Sequence, residues 1–198
     1  MHRFHHIFCV IFFVFCAANI LRAQEQSAED FQNGLNKQYE DPKESPLRDK
    51  AKDFKGHQFF AIDHTFQVEA DFVKTVDAIP FQMKTSTSRL PIYEKYGEAT
   101  FDINGKTFTL NIYQNHELRD TEEYKNHLFL PFTDLTNGEE TYSGGRYIDL
   151  EIPEGNIILI DFNKSYNPYC AYTKGYSCPI PPKENHMDHK ITAGVKKP

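Results

Sequence analysis

The residues able to carry chemistry gather late in the chain, between Phe132 and Asn185. Gly144-Gly145 stand immediately before Arg146 and Tyr147. A double glycine lets backbone N–H groups converge, and a guanidinium adds a fork that matches a carboxylate or phosphate. The plainer role of the same residues is a glycine turn, with Arg146 paired to Asp161 or another acid. Asp161 follows the apolar run Ile157–Ile160, with Asn163 and Asn167 just beyond. A carboxylate there serves either as a general base or as an organiser of the loop through backbone hydrogen bonds.

Phe162, Tyr166, Tyr169, Tyr172 and Tyr176 surround Cys170. Tyrosines with polar tips suit stacking on a sugar or other flat ligand, but they equally suit covering a stapled loop. Cys170 would act as a nucleophile only as a thiolate with a base in reach. His57, His64, His116, His127, His186 and His189 sit in no recognisable local signature. Glu184, His186, Asp188 and His189 cluster near the C-terminal end. Neither the cysteine spacing nor the histidine pair matches a zinc motif, so no metal and no cofactor are expected there. Phosphate-binding loops, dinucleotide fingerprints and the serine-elbow motif are missing.

The order of these segments is informative in another way. Phe132-Thr133-Asp134 leads to Glu140-Thr141-Tyr142-Ser143-Gly144-Gly145-Arg146-Tyr147, then to Asp161-Phe162-Asn163. Tyr166-Asn167-Pro168-Tyr169-Cys170-Ala171-Tyr172 and Cys178-Pro179-Ile180-Pro181-Pro182-Lys183-Glu184-Asn185 complete the series. In these motifs the chain resembles the family known as domain of unknown function 1684. The resemblance extends back to Phe59-Phe60 and covers most of the chain after residue 23. It implies membership, and no activity, substrate or residue role.

Strands must position these residues. Phe66, Val68, Ala70 and Phe72 alternate with Gln67, Glu69 and Asp71, the period of a half-buried strand. Ile79, Phe81 and Met83 repeat that pattern. Tyr96–Ile103 and Lys106–Tyr113 flank Asn104-Gly105, a dipeptide suited to a tight hairpin turn. Leu128–Phe132, Arg146–Ile152 and Asn156–Phe162 read as further strands, the last two joined across Pro153-Glu154-Gly155, and a short strand is expected near Lys190–Thr192. Ahead of them, Ser27 caps a helix running to Tyr39, and Ser45-Pro46 starts a second that stops at Gly56. Asp120–Lys125 reads as a short helix. The expected fold is mainly β with N-terminal helices: an antiparallel barrel or sandwich over 57–198, preceded by a helical arm over 24–56.

The first residues set the compartment. Arg3 and three histidines precede the uncharged apolar run Ile7–Ala18, and Leu21-Arg22-Ala23 offers a small residue for cleavage. This layout is that of a secretory signal peptide over 1–23, and the run is too short to span a bilayer. Its removal takes Arg3 and Arg22 and no acid, so the formal charge moves from −6 to −8. That balance opposes nucleic acid and anionic membrane surfaces as partners. Cys9 and Cys16 leave with the signal, and Cys170 with Cys178 is then expected to form a disulfide. The leading expectation is an exported, periplasmic or extracellular, module for a small polar or carbohydrate-like ligand, bound in a cleft between Gly144–Tyr147 and Asp161–Tyr172. Gly144, Gly145, Arg146, Tyr147, Asp161, Asn163, Asn167 and Tyr169 are its candidate binding residues. A hydrolase using Asp161 or a histidine as base, and a structural envelope protein without a ligand, are the alternatives.

Overall fold

Ser27 opens the described part of the chain with a helix cap. Its Oγ accepts a hydrogen bond from the Asp30 amide at 3.0 Å, and helix α1 runs Ala28–Glu40. The structure is a computed structural model in which residues 26–198 are described. The expected signal segment therefore lies outside the described residues. Past α1, the expected second helix is a six-residue 3-10 turn, Arg48–Asp53, and Arg48 enters it at φ 57°.

Alternation then builds strands: β1 Gln67–Lys74, β2 Phe81–Gln82, β3 Ile92–Ile103 and β4 Lys106–Asn115. The helix expected over Asp120–Lys125 forms instead at α2, His116–Arg119, where the Asn115 side chain accepts from the Leu118 amide at 3.0 Å. β5 His127–Asp134, β6 Arg146–Glu151, β7 Ile157–Asp161 and β8 His186–Met187 follow. The strand expected near Lys190–Thr192 is not formed; β8 pairs in parallel with β5, and Val195 bridges to Phe59. Asn104 and Gly105 both take positive φ, 52° and 78°, as a tight β3–β4 turn requires.

The principal strand order is β6-β5-β4-β3-β1-β7, with antiparallel pairing between all neighbours. Consecutive strands β6 and β7 thus lie at opposite ends of this order. The five residues between them reach at most about 20 Å, so the sheet has to curl until its ends approach. Beyond β7 the chain crosses back, and Tyr166 exchanges backbone hydrogen bonds with Tyr147 of β6 at 2.9 and 3.0 Å. The result is a mostly antiparallel, half-barrel sheet with few helices.

Side chains on the inner face form the main core, including Phe72, Phe101, Leu110, Leu130, Phe132, Ile148, Ile160 and Phe162. A smaller aromatic cluster of Met83, Tyr93, Tyr113, Phe129 and Tyr147 lies on the other face. A bulge between Lys95 and Gly97 lets β3 serve both. It moves odd-numbered residues from the outer face at Tyr93 to the inner face at Ala99 and Phe101.

α1 is fastened through Tyr39, which is 1% exposed and packs on His57 at 4.4 Å and Tyr172 at 5.2 Å. The His57 amide and its Nδ1 both meet Asn36 Oδ1, at 2.8 and 2.9 Å. Because that oxygen only accepts, Nδ1 carries the ring proton, and Nε2 is left buried without a hydrogen-bond partner. Burial pushes the His57 pKa down to about 4. An unfolded histidine takes up its proton near pH 6.5, so the unfolded chain binds more protons between pH 6.5 and about 4. Stability attributable to this group is therefore complete above pH 6.5 and is lost as pH falls toward 4. The loss is on the order of 2 kcal/mol, below the full shift because the ring is partly exposed. Urea midpoints measured across this window should fall for the parent chain and stay flatter for His57→Phe. An unchanged pH slope in the variant would assign the acid sensitivity to other groups.

Candidate functional site

Alternation along β6 sends Arg146, Ile148 and Leu150 inward and Tyr147 and Asp149 outward. β5 sets Phe129 opposite Asp149 and Pro131 opposite Tyr147. Tyr113 on β4 is in register with Phe129, and Tyr93 on β3 packs 5.9 Å from the Phe129 ring. Of these, Tyr93, Phe129, Tyr147 and Asp149 floor a cleft of about 310 Å³. Its wall is the segment after β7, which contributes Tyr166, Pro168, Tyr169, Tyr176 and Ser177 through Pro179. The cysteines expected to pair do so, with Cα atoms 6.3 Å apart, and they close the loop carrying Tyr176 and Ser177. In the chain-entropy description such a short loop adds about 2.5 kcal/mol of stability. Ser86 holds the same loop down, through its amide to the Cys178 carbonyl at 2.9 Å and its Oγ from the Cys178 amide at 3.1 Å.

Asp149 is the polar centre. Its Oδ1 lies 2.9 Å from His127 Nε2, and its Oδ2 accepts from the Tyr166 hydroxyl at 2.8 Å. The carboxylate is nevertheless 46% exposed. Burial, then the adjacent Asp149 carboxylate, raises the Tyr166 pKa well above the ordinary value. Burial likewise raises Tyr93, Tyr147 and Tyr169, so these rings carry neutral hydroxyls. His127 Nδ1 is buried and has no partner. The arrangement offers ring surfaces around an oriented, solvent-accessible carboxylate.

The structure separates the residues singled out from the sequence. Tyr147 and Tyr169 line the cleft. Arg146 does not reach it: the guanidinium is fully buried and binds Asp134 Oδ2 at 2.6 Å, the Ile191 carbonyl at 2.8 Å and the Ala193 carbonyl. The acid paired with it is thus Asp134 rather than Asp161. Asp161 is 4% exposed, and its Oδ1 accepts from the amide and side chain of Asn163, both at 2.9 Å. Asn163 in turn clasps the backbone of Asp63 at 3.0 and 2.9 Å. Asn167 donates to Tyr172 Oη and the Lys196 carbonyl, each at 2.9 Å. Gly145 has φ 87°, and a Cβ there would lie 2.6 Å from the Phe132 carbonyl oxygen; Gly144 abuts the Tyr142 ring. These six residues build the loops and core behind the cleft.

Asp149, Tyr93 and Phe129 were not among the sequence candidates, and His127 stood there only as one of six histidines without a local signature. The usable signal was the Tyr147/Asp149 alternation, because a charge two residues from an aromatic on a strand shares its face. The C-terminal acids and histidines disperse: Lys106 pairs with Asp188 at 3.1 Å, His186 Nδ1 lies 3.0 Å from Thr133 Oγ1, and His189 packs against Phe108. Among the described residues no group of three or more His, Cys, Asp or Glu is placed to hold a metal. No helix among them is long and apolar enough to cross a membrane.

A curled antiparallel sheet with a disulfide-closed aromatic loop on its outer face defines a small β-rich class of protein. The chain belongs to the family described as protein of unknown function (DUF1684), whose profile matches residues 52–196. It is also similar to the solution NMR structure of the uncharacterized protein from gene locus rrnAC0354 of Haloarcula marismortui. The two are 31% identical with a TM-score of 0.65, over 85% of this chain and 91% of the other. No curated protein matches the chain.

Proposed function

We propose that this chain is an exported binding module for a small polar ligand, of carbohydrate-like size, seated in the tyrosine-lined cleft beside Asp149. One observation carries the reading: an exposed carboxylate, oriented by His127 and Tyr166, stands among aromatic rings in a cleft of about 310 Å³. That volume is at the small end of ligand sites, and convergent polar groups in an aromatic lining are their usual composition. Export accords with the disulfide, which persists in oxidising compartments.

The hydrolase alternative has less support. Asp161 is buried and organises its own turn, and the free nitrogen of His127 is buried away from solvent. A general base has to reach its substrate's proton. The test is a thermal-shift and calorimetric screen of sugars and small polar metabolites with the chain from residue 24 onward. A binding ligand is expected, with affinity at least tenfold weaker in Tyr169→Ala. No response from any compound, or an equal response in that variant, would overturn the reading.

A further inference from the structure

Three of the five tyrosine hydroxyls lining the cleft are committed as donors to the protein. The Tyr147 hydroxyl donates to the Pro179 carbonyl, Tyr166 to Asp149 and Tyr176 to the Pro46 carbonyl at 3.0 Å. With a neutral imidazole, His127 Nε2 also donates to Asp149. Acceptor capacity remains: an ionised carboxylate has about four lone-pair positions, and two are used at Asp149. Among the described residues lining the cleft, Asp149 is the only carboxylate, and there is no lysine or arginine. An anionic ligand would meet a like charge, and a neutral sugar would find few free donors.

Ring geometry points the same way. Tyr147 meets Phe129 at 70° and Tyr166 at 88°, and Tyr169 meets Tyr176 at 64°. Rings at such angles do not make the single flat platform on which a sugar stacks best. A compact cation is attracted to several ring faces at once, and the attraction grows as water is excluded. One of these rings already has a cation over it: the Arg48 guanidinium lies 5.3 Å from the Tyr176 centroid. Arg89, which acts on Tyr93, is paired with Glu117 at 3.1 Å.

We infer that the ligand of this cleft is a small organic ammonium ion, held by the Tyr147, Tyr166 and Tyr169 rings and neutralised by Asp149. The inference rests on the proposed binding function and narrows it to one charge class. Calorimetric titration with choline, with its uncharged isostere 3,3-dimethylbutan-1-ol, and with methyl glucoside tests it.

Choline is expected to bind at least tenfold more tightly than the isostere. Asp149→Asn should weaken choline at least tenfold, with an unchanged near-ultraviolet circular dichroism spectrum. Should that variant fail to fold, 0.5 M sodium chloride on the parent chain replaces it, and screening should weaken choline while sparing the isostere. Equal binding of choline and isostere, or choline binding indifferent to both Asp149→Asn and salt, would overturn the charge assignment. Binding of methyl glucoside without choline would overturn the cation and leave the polar-ligand reading standing. A broad screen with no binder at all would remove both.

Discussion

Arg146→Met is expected to destabilise the protein by about 3–5 kcal/mol, as breaking one side of a buried ion pair does. Both side chains of the Arg146–Asp134 pair are 0% exposed, so neither charge has water to fall back on. The substitution strands Asp134 Oδ2 and also takes the donors from the Ile191 and Ala193 carbonyls. For a chain of this length the midpoint of thermal unfolding should drop by roughly 10 °C or more. Arg146→Lys should rescue little, because a point ammonium cannot serve the carboxylate and two carbonyls as a planar fork does. Adding Asp134→Asn to Arg146→Met should recover part of the loss. It removes the unpaired charge while keeping an acceptor for the Thr136 amide, now bonded at 2.6 Å. Chemical denaturation of the four proteins checks this series, and a loss under about 1 kcal/mol in Arg146→Met would contradict the assignment of the pair as a main fastener.

Gly194→Ala should be similarly severe, for a steric reason. Gly194 has φ 73°, and a Cβ there would lie 2.1 Å from Ser165 Oγ and 2.7 Å from the carbonyl oxygens of Phe162 and Ser165. The hydroxyl can rotate away, but the two carbonyls belong to the turn that returns the chain from β7 to β6. Val195 donates to one of them at 3.0 Å, and Phe60 donates to the Gly194 carbonyl at 2.9 Å. Left-handed strain and overpacking together predict a cost of about 3 kcal/mol or more. Gly155→Ala is the control: its φ is not positive and nothing lies within 4 Å of the added methyl, so its stability should stay near the parent value. Arg146 and Gly194 hold the same terminal segment, so the double variant should lose less than the sum of the two. Equal stability of Gly194→Ala and Gly155→Ala would rule out this close packing.

The contrast between these residues and the cleft shows what could be read in advance. Arg146, Asp161 and Asn163 carry the strongest local signals, being polar residues beside glycines or at strand ends. Each is bonded within the fold, Arg146 through both terminal nitrogens while its Nε is buried without a partner. Asn185 is a similar case: its side chain takes the Asn111 amide at 2.9 Å and donates to the Asn111 and Pro131 carbonyls, both at 2.8 Å. β4 and β5 share a single register pair, Tyr113 with Phe129, and this asparagine ties them together nearby. A polar side chain looks the same in the sequence whether it serves a ligand or the backbone. Tyr169 stood out among the aromatic rings around the disulfide and Tyr147 beside the double glycine, and both line the cleft.

By itself the sequence determined what depends on near neighbours. Ser27 capping α1, the Asn104-Gly105 turn, the alternation of β1 and the family motifs all rest on contacts or periods of a few residues. Tertiary structure alone decided the rest. The bulge at Lys95/Gly97 exchanged the two faces of β3, and the return of Tyr166 to Tyr147 joined the ends of the curled sheet. Strand pairing set Tyr93, His127 and Asp149 on one face, and the segment after β7 closed a cleft over them. The physical reason is that a strand's period fixes which residues share a face. Which face is covered, and by what, depends on chain segments distant in sequence.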